Sequence, residues 1–202
     1  MQNSFKIIFR FIFLLFLLSC KGNNDGDWFS GDFYNNDTSN LAEEIVDQSL
    51  GTKFNPPANW LIQSAELSRK IETRNKFQDS SQNRFEYSPQ YLFFNQSGGS
   101  LLSVGYVEYS DSSLNSELSF NNYKNLLGNK LRNDKISIAS FTKSGIKFFQ
   151  IKSEKEDLIN FKILYLNQNS RIIQFDCTVR RENLESELKS LKSTIGSIQL
   201  VR

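Results

Sequence analysis

Histidine is absent from all 202 residues. That removes the usual general base at neutral pH, the Ser-His and Cys-His nucleophile pairs, and the imidazole ligands of many metal sites. Cysteine is scarce: Cys20 has a better use than pairing and Cys177 falls in mid-strand, so no disulfide is read. Excess charge is scarce too. The formal net charge is +2, and setting aside Lys6 and Arg10, which lie in a segment expected to be removed, leaves none. No basic field remains to attract nucleic acid or an anionic bilayer. Long apolar runs are also missing: Phe11 to Leu18 is uninterrupted but falls short of the roughly 20 residues needed to span a bilayer. What the chain does have is Phe, 18 residues of it, within 39% hydrophobic content. That suffices for one core in one domain with appendages, and so many Phe residues read as core rather than as a site.

The short apolar run follows Lys6 and Arg10 and ends in Leu17-Leu18-Ser19-Cys20. Basic start, apolar stretch and small residue make a secretory signal over residues 1–19. The last four residues resemble the lipobox of bacterial lipoprotein precursors, which implies cleavage before Cys20 and acylation of that cysteine. The alternative is an uncleaved helical anchor with an incidental cysteine. Several acyl chains, at about 0.8 kcal/mol per buried methylene, hold a protein on a membrane where one chain barely does. Lys21 stands where inner-membrane lipoproteins often carry Asp, so the resemblance points to the outer membrane of the bacterial envelope. Asp25 and Asp27 are similar to the acidic export signals of surface lipoproteins in Bacteroidetes-type bacteria; periplasmic and surface faces both stay open.

Residues 20–52 are read as the lipidated cysteine and a tether, rich in Gly, Asn, Asp and Ser up to about Asn40. Trp28, Phe29, Phe33 and Tyr34 interrupt it. Exposed aromatics in an acidic stretch are candidates for docking an envelope protein partner; the plainer alternative is loose packing on the domain or contact with the membrane interface. Leu41 to Leu50 is expected to form a short helix capped by Asn40.

The domain proper is expected over residues 53–202, folding on its own. Phe54-Asn55-Pro56-Pro57-Ala58-Asn59-Trp60 is an extended lead-in, since two prolines forbid a central strand. Leu61 to Phe77 is read as a surface helix carrying a basic cluster of Arg69, Lys70, Arg74 and Lys76. Tyr91 to Asn95 and Leu101 to Tyr109 flank Gln96-Ser97-Gly98-Gly99, a hairpin signal. Ser119 is expected to cap a helix whose stripe is Phe120, Tyr123, Leu127 and Leu131. Four strands follow between Lys135 and Val179, with apolar residues at period 2: Ile136 and Ile138; Ile146 and Phe148; Ile159 to Tyr165; Ile173 to Val179. Their polar turns are so short that neighbours must be antiparallel. A last helix carries Leu184, Leu188, Leu191, Ile195 and Ile198, with a Glu185–Lys189 pair.

Helices on an antiparallel sheet make an α+β domain. The order resembles the Mog1/PsbP-like family of α-β-α sandwich domains. The resemblance rests on Phe54-Asn55-Pro56-Pro57 with Trp60, the strand Leu101 to Tyr109, the helix with Phe120, Tyr123 and Leu127, the four strands, and the closing Ile195-Gly196-Ser197-Ile198. It implies a non-catalytic accessory module of a larger protein assembly. Metal ligands of that family do not carry over, and no cofactor is expected. Two other functions compete. One is a carrier or sensor of a small apolar ligand between sheet and helix. The other is an enzyme using paired carboxylates, Glu108 with Asp111 or Glu154 with Glu156 and Asp157.

Overall fold

A computed structural model describes residues 33–63, 76–78, 84–110 and 115–201. Strands dominate. In chain order they are β1 (Ile45–Asp47), β2 (Thr52–Phe54), β3 (Leu61–Ile62), β4 (Lys76–Gln78), β5 (Arg84–Asn95) and β6 (Ser100–Tyr109). Helix α1 (Ser116–Lys130) precedes the meander β7 (Lys135–Lys143), β8 (Ile146–Lys155), β9 (Leu158–Leu166) and β10 (Ile172–Arg180). A 3-10 turn (Arg181–Asn183) leads into α2 (Leu184–Ser197) and β11 (Gln199–Leu200).

The meander and the β5–β6 hairpin form one antiparallel sheet in the order β3-β5-β6-β10-β9-β8-β7, with β4 beside β5. The register closes it: Phe175 lies between Val104 and Ile163, and Cys177 between Leu102 and Phe161. Alternation then sorts side chains onto two faces, since successive residues of a strand point opposite ways. Phe161, Ile163, Tyr165, Phe175, Cys177 and Val179 share one face and are all buried. Phe85, Tyr87, Val107, Ile151, Leu164 and Ile172 lie on the other and form a core with Tyr123 and Leu127 of α1. On the first face Leu188, Leu191 and Ile195 of α2 and Ile198 just after it are buried, and α2 packs on β10 and β2. The α+β class, an antiparallel sheet flanked by helices, is therefore as the sequence predicts.

The chain ends differ from expectation. Leu41 to Leu50 is not a helix. Leu41 bridges Pro57, and Ile45–Asp47 pairs with Thr52–Phe54. The Asp47 carboxylate accepts from the Leu50 amide at 2.9 Å and the Ser49 hydroxyl at 2.6 Å, while Gly51 takes φ of 58°. Those bonds make a turn where a helix would have needed to continue, and β-branched Ile45 and Val46 favour the strand. Ile45–Asp47 and Thr52–Phe54, the latter ending where the lead-in begins, thus belong to a second sheet, β1-β2-β11, whose last strand follows α2 directly. Of the segment expected as tether through residue 52, residues 33–52 belong to the compact unit that ends at Arg202, and residues 20–32 lie outside the described residues.

The helix read over Leu61 to Phe77 has strands at both ends, β3 and β4, both paired with β5; residues 64–75, with Arg69, Lys70 and Arg74, lie outside the described residues. Asn115, not Ser119, caps α1: its side chain accepts from the Leu118 amide at 2.8 Å, and Ser119 is buried one turn further on. Ile138 is 54% exposed because β7 is the sheet's last strand and nothing described covers its outer end. Lys189 pairs with Asp37 at 2.8 Å rather than with Glu185.

Candidate functional site

Of the four aromatic residues expected to meet a partner, Trp28 and Phe29 lie outside the described residues. Phe33 is 1% exposed, its ring 5.0 Å from that of Phe161 in the core. Tyr34 is half-buried, 6.0 Å from Phe141. The neighbouring Asn35 amide donates to the Lys192 carbonyl at 2.9 Å, so this segment is laid along α2. Phe33 is a core residue.

Of the carboxylates read as candidate catalytic groups, Glu154 is engaged in ion pairs. Glu154 bonds to Lys152 at 2.6 Å and to Arg181 at 2.9 Å. The Lys152 bond, with the Arg181 bond behind it, outweighs partial burial and lowers the Glu154 pKa. Glu156 and Asp157 are exposed in the β8–β9 turn, where Glu156 has φ of 55°. Glu108 is exposed and stands opposite Glu86 across β6 and β5; Asp111 lies outside the described residues. Cys177 is a free thiol, fully buried, and burial pushes its pKa well up. A thiol so placed is inert, because the thiolate is the reactive form. Among the described residues no three His, Cys, Asp or Glu side chains cluster as a metal site.

The polar chemistry concentrates elsewhere, on the sheet face under α1. Lys162 and Asp176 stand directly opposite in the β9–β10 register and form an ion pair, their side chains only 11% and 13% exposed. Asn160 donates to Asp176 and, at 3.0 Å, to the Thr178 hydroxyl. Gln174 donates to Asp176 at 3.4 Å and accepts from the Tyr123 hydroxyl of α1 at 2.7 Å. Tyr87 and Ser103 are joined at 2.7 Å on the same face. Burial, with the Asp176 charge, raises the pKa of both tyrosines, keeping them neutral donors or acceptors. The oxygen of the Asn160 amide is buried without a partner among the described residues. A pair this largely buried is expensive to break, about 3–5 kcal/mol if one partner is removed.

A cavity of about 300 Å³ opens beside this network. Leu127, Lys130 and Leu131 line it from the end of α1 and Asp134 from the following turn. Ser153, Lys155, Leu158, Asn160, Lys162 and Thr178 line it from the sheet. Partial burial, with the Lys162 charge behind it, lowers the pKa of Lys130. Sequence reading missed this site because Asn160, Lys162, Gln174, Asp176 and Thr178 alternate with apolar residues and read as the wet side of half-buried strands. The signal that could have found them is α1 itself. Its apolar stripe has to cover the second face, so polar residues there are enclosed.

No family model matches the chain, and no curated protein matches it. Among solved structures it is similar to the solution structure of cyanobacterial PsbP (CyanoP) from Synechocystis sp. PCC 6803. The likeness covers 84% of this chain and 98% of that one, at 11% identity and a TM-score of 0.48. It is a likeness of architecture.

Proposed function

We propose that this chain is an envelope lipoprotein, anchored by acyl chains on Cys20, whose folded body is a non-catalytic accessory module of a membrane-side protein assembly. The observation that carries the reading is Leu17-Leu18-Ser19-Cys20 at the end of a basic, then apolar, leader. Lys21 after the cysteine, where inner-membrane lipoproteins often carry Asp, supports the outer membrane as the site of anchoring. The accessory role is supported by what the body's reactive groups are engaged in: Glu154 in an ion-pair cluster, Asp47 in a turn, Cys177 sealed in the core. Trp28 and Phe29 remain candidates for the partner contact, while Phe33 and Tyr34 serve the fold.

Affinity capture tests this reading. Full-length chain isolated from its own envelope, after mild cross-linking, is expected to bring down one protein in near-stoichiometric amount. Trp28→Ser/Phe29→Ser is expected to reduce that capture with folding and membrane retention unchanged. Recovery of the chain alone from cross-linked envelopes would contradict an accessory role.

A second reading, a small-ligand carrier, is favoured by the cavity under α1. Its lining mixes Leu127, Leu131 and Leu158 with lysines and other polar residues.

A further inference from the structure

We infer that the outer edge of β7 takes up an extended segment of a partner protein, β-branched where it passes Ile138 and acidic where it passes Lys143. This surface is separate from Trp28 and Phe29, and the inference rests on the accessory reading only for the source of the segment. The β7–β8 turn decides which backbone groups are on offer. Lys143 pairs with Ile146 across Ser144 and Gly145, whose φ values of 50° and 80° belong to a two-residue hairpin turn. The pair flanking such a turn exchanges both its hydrogen bonds, and bonded pairs then alternate along the ladder. Phe141, Ala139, Ser137 and Lys135 therefore bond to β8, while Thr142, Ser140, Ile138 and Ile136 turn their N–H and C=O groups outward. Among the described residues no strand meets them, because β7 is last in the sheet.

Sheets ordinarily blunt such an edge with short strands, proline, bulges or charge. The far side of this sheet does so: among the described residues β3 and β4 have two and three residues, and β5 carries Pro89 and a bulge. β7 runs nine residues in unbroken register with β8, holds no proline and exposes Ile138. Its lysines, Lys135 and Lys143, stand only at its ends. What they repel is another basic edge. In the antiparallel register that uses the whole strand, a second copy would set Lys135 against Lys143 at both ends, and like charges directly opposite are destabilising.

Charge selects an acidic occupant at the Lys143 end. Lys143 shares a face with Phe141, and Lys147, opposite Thr142, lies on the other face. Neither forms an ion pair among the described residues. Lys143 lies over the Tyr34 ring at 5.9 Å, and Lys124 of α1 over Phe120 and Phe149 at 4.9 Å each. Such contacts place an ammonium without cancelling its charge. The other end is closer to balance: Lys135 shares Glu154 with Lys152 and Arg181, Asp134 precedes the strand, and Glu156 and Asp157 follow β8. Lys124, Lys147, Ser140, Thr142, Phe120 and Phe149 also border a cavity of about 260 Å³ whose lining holds no Asp or Glu. A side chain of the added strand passing Thr142 on this face would meet that cavity, and pockets for alternate side chains are what give strand addition its specificity.

The test uses full-length chain in nanodiscs of zwitterionic lipid and a nine-residue peptide matched to β7, acetyl-Glu-Thr-Glu-Val-Thr-Val-Glu-Thr-Glu-amide, which reads the same in either direction. One control peptide has Lys for every Glu, and another is N-methylated at alternate amides. The readout is residue-resolved amide hydrogen exchange. The Glu peptide is expected to slow exchange at Ile138, Ser140 and Thr142 about tenfold or more, and to leave Ala139 and Phe141, already bonded to β8, unchanged. Both controls are expected to do neither. Ser140→Pro removes an outward N–H and puts a ring in the added strand's place without costing a bond to β8, so it is expected to abolish the protection. Lys143→Glu/Lys147→Glu, which breaks no ion pair, is expected to weaken the Glu peptide about tenfold or more and to let the Lys peptide bind. Equal protection by the Glu and Lys peptides, protection without the alternation, undiminished protection in Ser140→Pro, or no protection by the Glu peptide would each overturn the inference. So would a dimer whose outward amides are already slow without peptide, which would give the edge to a second copy. Affinity capture from the envelope tests the accessory reading separately, so either can fail without the other.

Discussion

At the scale of single residues, two glycines are held by neighbours rather than by turns. A side chain on Gly196 would run into the backbone of Asn35, and one on Gly105 into Ser88 and Pro89 at the bulge of β5. Both obstacles are main chain and cannot swing aside. Gly196→Ala is therefore expected to cost about 1–3 kcal/mol, the range for overpacking, measured by urea unfolding; a neutral result would mean that the Asn35 segment leaves α2 easily. Glu187 gives a prediction with a sign in pH. It is buried on α2, where burial raises its pKa despite a hydrogen bond donated by Asn95. A folded-state pKa above the unfolded one means that the unfolded chain loses its proton first as pH rises. Stability is thus lost upward from the ordinary glutamate range. Glu187→Gln should match the native chain at acid pH and become the more stable of the two as pH rises toward neutrality. The opposite trend, with the native chain gaining over the variant, would put the carboxylate in a charge-stabilising site. Asp47 and Glu154 run the other way. Their depressed pKa values contribute stability that is present above the ordinary carboxylate range and lost as pH falls through the folded values. Cys177 should label slowly with a thiol reagent in the native state and quickly in denaturant, and equal rates would contradict its burial.

At the scale of elements, the meander was legible because its apolar residues kept period 2 between turns too short for anything but hairpins. Ser144 and Gly145, and Ser170 further on, take the positive φ those turns need. The α2 stripe was legible for the same kind of reason, five apolar residues at helical spacing. The N-terminal segment was not. Phe33 sits among Asn, Asp and Ser, a composition that reads as tether, and what orders it is a partner far off in sequence: Phe161, Lys192 and Lys189. Local pattern carries no trace of such contacts. Likewise Ile45 and Val46 lie among acids and Ala that suit a helix, and only pairing with β2 selects the strand. Phe33→Ala should cost about 3–5 kcal/mol, as for other buried Phe, whereas Tyr34→Ser should cost much less. A chain beginning at Lys53 should melt many degrees lower or lose its cooperative transition in calorimetry. An unchanged melting curve would return residues 33–52 to the status of tether.

At the scale of the molecule, among the described residues two helices and a small second sheet accompany a broad antiparallel sheet, and its two faces have different chemistry. One is nearly dry and aromatic, with Phe54 5.2 Å from Phe175 and Phe148 5.2 Å from Tyr165. The other holds the Lys162–Asp176 network and the cavity at the end of α1. The sheet and its helices could be read from periodicity. The polar network could not, since a residue's being enclosed depends on which face a distant helix chooses. No helix among the described residues is long and apolar enough to cross a membrane, and the proposed attachment rests on Cys20. The intact mass of the mature chain, isolated from its native envelope, tests that proposal most directly. The expected chain begins at Cys20 and carries the added mass of its acyl groups, which a Cys20→Ala chain lacks. A chain of full length with Cys20 unmodified, or one cut elsewhere and free of lipid, would contradict it.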